Sequence, residues 1–264
     1  MTGTAARRVT ERRLLALVLG GAVLSVLAYL VAVRSGAGQI LDDWAFEGRK
    51  ATNLDARRAV ADVLRVLTGV AVAGVAVAEC VVAVRRRRWP LAVGAVVAVG
   101  GAVLLTTWLK DVLPRPFLTE TFTSNDNTYP SGHMAAVAAA AIWGLVVCPP
   151  DRRGAVLRGA APAAAGMGIA LLGTGWHRPS DVVGAVALDV AWCGALAVLL
   201  VRPADLGSSD EGLWDVSMRR IVVVTLVLAV AVTVSLRLPA NPQHRLWAYL
   251  VAVVAVAGLV FAAL

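Results

Sequence analysis

The chain has 264 residues, of which 59% are hydrophobic and only 16% charged, with a formal net charge of +8. A soluble domain carries about 25% charged residues, so this balance excludes a protein organised around a single water-facing fold and points to lipid. No basic patch interleaved with aromatics is present, so the positive charge belongs with membrane topology and anionic headgroups rather than nucleic acid.

In chain order, apolar stretches at 14–33, 66–84, 91–109, 135–148, 159–175, 182–201, 221–236 and 246–264 predict eight membrane-spanning helices, since a span needs roughly 17 to 25 such residues. The fourth is short and reaches span length only with His133 and its flanks. The first is too long for the roughly 7 to 15 residue core of a cleaved signal peptide, so an uncleaved anchor is expected. A loop at 34–58 mixes charges with Trp44 and Phe46 and could lie along the membrane to shape substrate access. Cys80, Cys148 and Cys193 fall in or beside apolar spans without ligand spacing and read as small packing residues.

Basic residues set the expected orientation. Arg7, Arg8, Arg12 and Arg13 precede the first span, and Arg85, Arg86, Arg87 and Arg88 follow the second. Arg152, Arg153 and Arg158 follow the fourth, and Arg202, Arg219 and Arg220 follow the sixth. These 14 arginines face 11 Lys or Arg on the other side, where Asp42, Asp43, Glu47 and Asp55 dilute them. Positive loops stay cytoplasmic, which places both termini in the cytoplasm. The chain then divides into 1–88 (two spans and an extracytoplasmic loop), 89–202 (a polar-motif core) and 203–264 (an acidic cytoplasmic loop and a terminal hairpin). High Ala, Val and Arg usage fits a bacterial chain with GC-rich codons.

This topology puts three polar clusters on one extracytoplasmic face. "YPSGHM" at 129–134 places Pro130 where a helix starts. The amides of Ser131, Gly132 and His133 would then lack helical partners and attract an anion, with His133 set to donate a proton; the alternative is an interfacial turn with an incidental His. "LKDVLPRPF" at 109–117 holds Lys110 and, between two prolines, Arg115. These cations either snorkel to headgroups or clamp a phosphate. "GTGWHRPSD" at 173–181 sets Pro179 at a helix start, with His177 four residues before Asp181. Asp181 can fix one imidazole nitrogen and leave the other free as a nucleophile, or the pair simply caps and anchors the helix. Together the clusters assemble a phosphoryl transfer. Lys110, Arg115 and the amides around Ser131 bind phosphate, His177 attacks, and His133 protonates the leaving oxygen. Clustered cations and a helix end supply the positioning and charge stabilisation that phosphoryl transfer needs. No carboxylate cluster suited to a metal is evident, so a metal-independent hydrolase without cofactors is expected.

"LKDVLPRPF", "PSGH" and "HRPSD" resemble the three signatures of the type-2 phosphatidic acid phosphatase superfamily, which includes membrane lipid phosphatases and soluble vanadium haloperoxidases. The resemblance covers roughly 89–201 and implies an all-α integral membrane protein with a six-helix core. It implies His177 as nucleophile, Asp181 as its partner, His133 as general acid, and phosphate binding by Lys110, Arg115, Ser131 and Gly132. Two departures stand out. The family separates Lys from Arg-Pro by six residues, whereas only Asp111 to Pro114 intervene here. The third signature opens with Ser-Arg, whereas Ala170 and Leu171 stand here; Arg178 is the candidate substitute.

The leading reading is an integral-membrane phosphatase hydrolysing a lipid phosphate or an isoprenoid (polyprenyl) diphosphate through a phosphohistidine. Its partners are that substrate and membrane lipids, and no oligomeric state is implied. The alternative is a catalytically impaired relative that binds a lipid headgroup or partner protein. Asp189 within the sixth span raises a transporter, although pairing with a polar neighbour is the preferred account.

Overall fold

The computed structural model describes residues 3–51, 54–119, 127–202, 205 and 242–263. Among these the protein is all-α, with no strand. The helices are α1 (Gly3–Ala28), α2 (Gly36–Gly48), α3 (Leu54–Arg85), α4 (Trp89–Val112), α5 (Gly132–Val147), α6 (Arg153–Thr174), α7 (Pro179–Leu200) and α8 (Pro242–Ala263). A single π-helical stretch, Tyr29–Val33, continues α1. Five helical segments are long and apolar enough to cross a membrane: 11–33, α3, α4, 150–174 and α7. α5 and the 245–256 stretch of α8 are shorter apolar helices. The seventh expected span, 221–236, lies outside the described residues.

Why these segments become helices follows from their solvent. Backbone amides in lipid must find partners within the segment, and the Leu- and Val-rich faces of α1, α3 and α4 stay exposed for lipid, including Leu19, Val66, Val70 and Leu104. The inward faces are built from Ala and Gly, which let backbones approach closely. α7 is the central helix, packed along α1 and against α4, α5 and α8. Gly21 sets the α1–α7 crossing: a Cβ there would lie 2.6 Å from the Ala187 carbonyl oxygen. Trp143 of α5 is fully buried and donates to the Leu91 carbonyl at 3.0 Å, joining α5 to α4.

Two expectations change. The 34–58 loop contains α2, a helix capped by Ser35, whose Oγ accepts the Gly38 amide at 3.0 Å. α2 packs against α8 and touches α7. Among the described residues Asp189 does not pair with a polar neighbour: it is fully buried and neither carboxylate oxygen has a hydrogen-bond partner there.

Candidate active site

Three chain reversals bring the polar clusters to one end of the bundle. α6 ends at Gly175, which adopts φ +74° and so takes the left-handed conformation that favours glycine. The amides of Trp176 and His177 turn back to the Leu171 carbonyl at 3.2 and 3.4 Å. α7 then begins at Pro179, the helix position best suited to proline. His177 and Arg178 therefore sit on a stiff connection immediately before α7, with Asp181 in its first turn.

Asp181 is the hub. Its Oδ2 accepts from Thr128 Oγ1 at 2.6 Å, from the Arg178 amide at 2.9 Å and from His177 Nδ1 at 3.3 Å. Its Oδ1 accepts from Arg115 Nη1 at 3.0 Å. Because an ionised carboxylate only accepts, the His177 proton resides on Nδ1 and the Nε2 lone pair is free. The second imidazole, His133, is exposed on the first turn of α5, and its ring centroid lies 6.5 Å from that of His177 and 5.2 Å from Trp176.

The start of α5 differs from expectation by two residues. The helix opens at Gly132, with Ser131 as its N-cap accepting the Met134 amide at 3.2 Å, so Pro130 precedes the helix rather than opening it. The Ser131 amide is also engaged, donating to the Asp181 carbonyl at 3.0 Å. The amides of Gly132 and His133 remain in the unpaired first turn, where they can meet an anion. Lys110 faces this spot from α4: a Cβ on Gly132 would lie 3.8 Å from Lys110 Nζ and 3.6 Å from Thr106 Oγ1. Glycine thus keeps the gap between ammonium and helix end open.

The two arginines lie behind this pocket. Arg115 is fully buried and bridges Asp181 with Asp42, whose Oδ2 lies 3.1 Å from Arg115 Nη2. Burial works against the Arg115 charge, yet Asp181 and Asp42 hold its pKa above the ordinary value. Arg178 is 3% exposed and directs Nε to Asp43 Oδ1 at 2.9 Å, with its guanidinium 4.8 Å from the Phe46 ring centroid. Leu171, where the family carries arginine, is wholly buried in the core.

Sequence reasoning missed Asp42, Asp43, Thr128 and Ser180. Asp42 Oδ1 accepts the Ser180 amide at 3.0 Å and its Oδ2 the Ser180 hydroxyl at 2.6 Å. Burial pushes the Asp42 carboxyl up to about 6 against the pull of Arg115. The available signal was two adjacent acids before Trp44 in an interfacial segment, equal in number to the two arginines of the motifs. Among the described residues, no group of three or more His, Cys, Asp or Glu converges closely enough to hold a metal ion.

Tyr129 wedges the "PSGH" turn into the bundle. It is 1% exposed and its hydroxyl donates to the Ser25 carbonyl at 2.6 Å. Gly184, on α7, faces its ring: a Cβ there would lie 2.3 Å from ring atoms. Gly184→Ala is expected to destabilise the fold by about 1–3 kcal/mol through overpacking, read as a lowered unfolding midpoint in detergent.

The described residues form an all-helical, membrane-embedded bundle with two histidines, a buried aspartate and a lysine beside a helix start. Residues 91–206, from the second residue after the start of α4 to beyond the end of α7, match the model of the PAP2 superfamily. No curated protein and no solved structure matches the chain.

Proposed function

We propose that this protein is a multi-pass cell-membrane phosphatase that hydrolyses a lipid phosphate or polyprenyl diphosphate at the extracytoplasmic face through a phosphohistidine. The observation that carries this reading is the His177 imidazole, held by Asp181 at Nδ1 and facing His133 across 6.5 Å, beside Lys110 and the open start of α5.

The phosphoryl group sits between the Lys110 ammonium and the amides of Gly132 and His133, with Ser131 capping that helix end. Arg115 and Arg178 add positive charge from behind. His177 Nε2 attacks phosphorus, the N–P bond forms, and the P–O bond to the leaving group breaks. The leaving oxygen keeps the bonding electron pair and takes a proton from His133. Water then attacks phosphorus, gives its proton to His133, and the N–P bond breaks to free His177 and phosphate. A site at the end of the bundle suits an amphiphile whose tail stays in the bilayer, and the chemistry needs only this chain's own residues.

The test is phosphate release by purified protein from a panel of phosphatidic acid, phosphatidylglycerol phosphate and a polyprenyl diphosphate, with His177→Ala as background. Release by the wild type alone supports the reading. Binding of these lipids without release by either protein would favour a headgroup-binding relative, the reading to which Leu171 in place of arginine lends weight.

His133→Ala is expected to slow turnover of a lipid monophosphate by about a hundred- to ten-thousand-fold. The loss should shrink with p-nitrophenyl phosphate, whose leaving oxygen needs no proton. Because His133 also takes the proton of the attacking water, the comparison is made on the first burst of leaving-group release; an equal loss there on both substrates would remove His133 from the general-acid role.

A further inference from the structure

The segment before α3 carries no part of the family signatures, yet it reaches further into the site than some of the signature residues do. Asp42 and Asp43 are 5% and 3% exposed. Between them they accept both arginines, Arg115 at 3.1 Å and Arg178 at 2.9 Å, and Asp42 also takes the amide and hydroxyl of Ser180. Arg115 continues to Asp181, and Asp181 to His177. One connected path of polar contacts therefore runs from α2 to the nucleophile, every member of it buried. α2 is itself anchored to the Arg115 segment. Gln39 donates to the Pro116 carbonyl at 2.6 Å and accepts the Leu118 amide at 3.2 Å.

Charge decides what this arrangement can do. Without α2, the groups behind His177 are two arginines against Asp181 alone, with Lys110 adding more positive charge. With Asp42 and Asp43, three carboxylates rather than one face these cations and the Arg49 guanidinium beside Gly175, and most of the positive charge is offset. Attack by Nε2 builds positive charge on the imidazole, and two extra carboxylates a short distance behind it favour that charge. We propose that α2 is a working part of the active site, in which Asp42 and Asp43 are positioning residues that hold Arg115 and Arg178 and offset their charge at His177. This inference rests on the phosphohistidine reading for its catalytic meaning, but the electrostatic coupling stands independently of it.

The charged and titratable groups around His177 among the described residues are Asp181 and Arg178 of its own connection and helix, His133 from α5, Lys110 from α4, Arg115 on Asp181, the Arg49 guanidinium beside Gly175, and, one contact further back on the two motif arginines, Asp42 and Asp43 from α2. Removing one α2 charge therefore makes the surroundings more positive and the imidazole less basic. The chain has three histidines, so ¹³C-histidine-labelled protein gives three titrating ring signals, with His177 assigned by His177→Gln.

In Asp42→Asn and in Asp43→Asn the His177 midpoint is expected to move to lower pH by about half a unit or more, and Asp42→Glu should restore it. Ser180→Ala, which removes a contact to Asp42 but no charge, should leave the midpoint in place. Should Asp42→Asn fail to fold, Asp43→Asn tests the same coupling from the other carboxylate. A His177 midpoint that stays put in the folded Asn variants, or moves as far in Ser180→Ala, overturns the proposal. Phosphate release on the same proteins reads the functional half separately. If the wild type shows no His177-dependent turnover, the phosphatase reading fails whatever the titration gives. If turnover is present, its acid limb should follow the titration downwards.

Discussion

His177→Ala is expected to abolish phosphate release, lowering kcat by about ten-thousand-fold or more, the scale seen when a covalent nucleophile is removed. The size follows from geometry. His177 Nδ1 is occupied by Asp181 at 3.3 Å, leaving Nε2 as the imidazole atom able to attack, while His133 lies too far round the pocket, at 6.5 Å between rings, to replace it without moving. Lys110 and the α5 start are untouched by the change, so substrate should still bind. The loss therefore falls on kcat, with little change in binding of a non-hydrolysable phosphonate. Rapid quenching of the wild type with radiolabelled substrate should trap an acid-labile, base-stable phosphoprotein, which His177→Ala does not form. Residual turnover within a factor of ten of the wild type would refute a histidine nucleophile at this position.

The contrast between what sequence made legible and what it hid has a physical basis. Against a background with 59% hydrophobic residues, each charged or imidazole side chain beside a Pro or Gly is conspicuous, because lipid tolerates few polar groups without a purpose. That is why the residues around Lys110, Ser131 and His177 stood out before any fold was known, and why the helical architecture followed from the long apolar runs. α2 was hidden for the opposite reason. Its sequence mixes charges, aromatics and small residues as a solvated loop does, and the partners that bury its acids lie far along the chain. Asp42 meets Ser180 across 138 positions and Arg115 across 73. Local pattern carries no record of such pairings. Arg115 is the instructive case: its flanking prolines marked it as a stiffly held cation, but only the packed structure shows that both ends of its guanidinium meet carboxylates.

The start of α5 shows a subtler limit. Proline favours a first helical position in general, and "PSGH" offers it one. Ser131 outcompetes it because a serine side chain can cap the Met134 amide while its own amide reaches the Asp181 carbonyl of α7. That second bond is tertiary, and it locks the two halves of the site together at the backbone. Asp181 thus serves the pocket twice, through its carboxylate and through its carbonyl, and a side-chain substitution removes the first while leaving the second in place.

Asp181→Asn is accordingly expected to lower kcat by about a thousand- to ten-thousand-fold while keeping the shape of the side chain. The argument is one of donors and acceptors. Four donors converge on the carboxylate: Arg115 Nη1, Thr128 Oγ1, the Arg178 amide and His177 Nδ1. If the asparagine oxygen turns to Arg115, its NH2 meets the Arg178 amide, the Thr128 hydroxyl and His177 Nδ1, of which the hydroxyl and the imidazole can become acceptors for its two protons. The imidazole does so by moving its proton to Nε2, which removes the attacking lone pair. If the oxygen turns to His177 instead, the NH2 faces the Arg115 guanidinium, a buried cation then left with Asp42 as its remaining acidic partner of the two. Breaking one side of a buried ion pair costs about 3–5 kcal/mol, and the lower end applies because Asp42 stays in place. Chemical denaturation in detergent should therefore report a loss near 3 kcal/mol, and steady-state release a fall in kcat larger than any rise in KM. Asp181→Glu should not restore turnover, since one more methylene displaces all four bonds at a position with no exposed surface. An Asp181→Asn protein that turns over at close to the wild-type rate would mean that Asp181 neither sets the imidazole tautomer nor anchors Arg115 for catalysis.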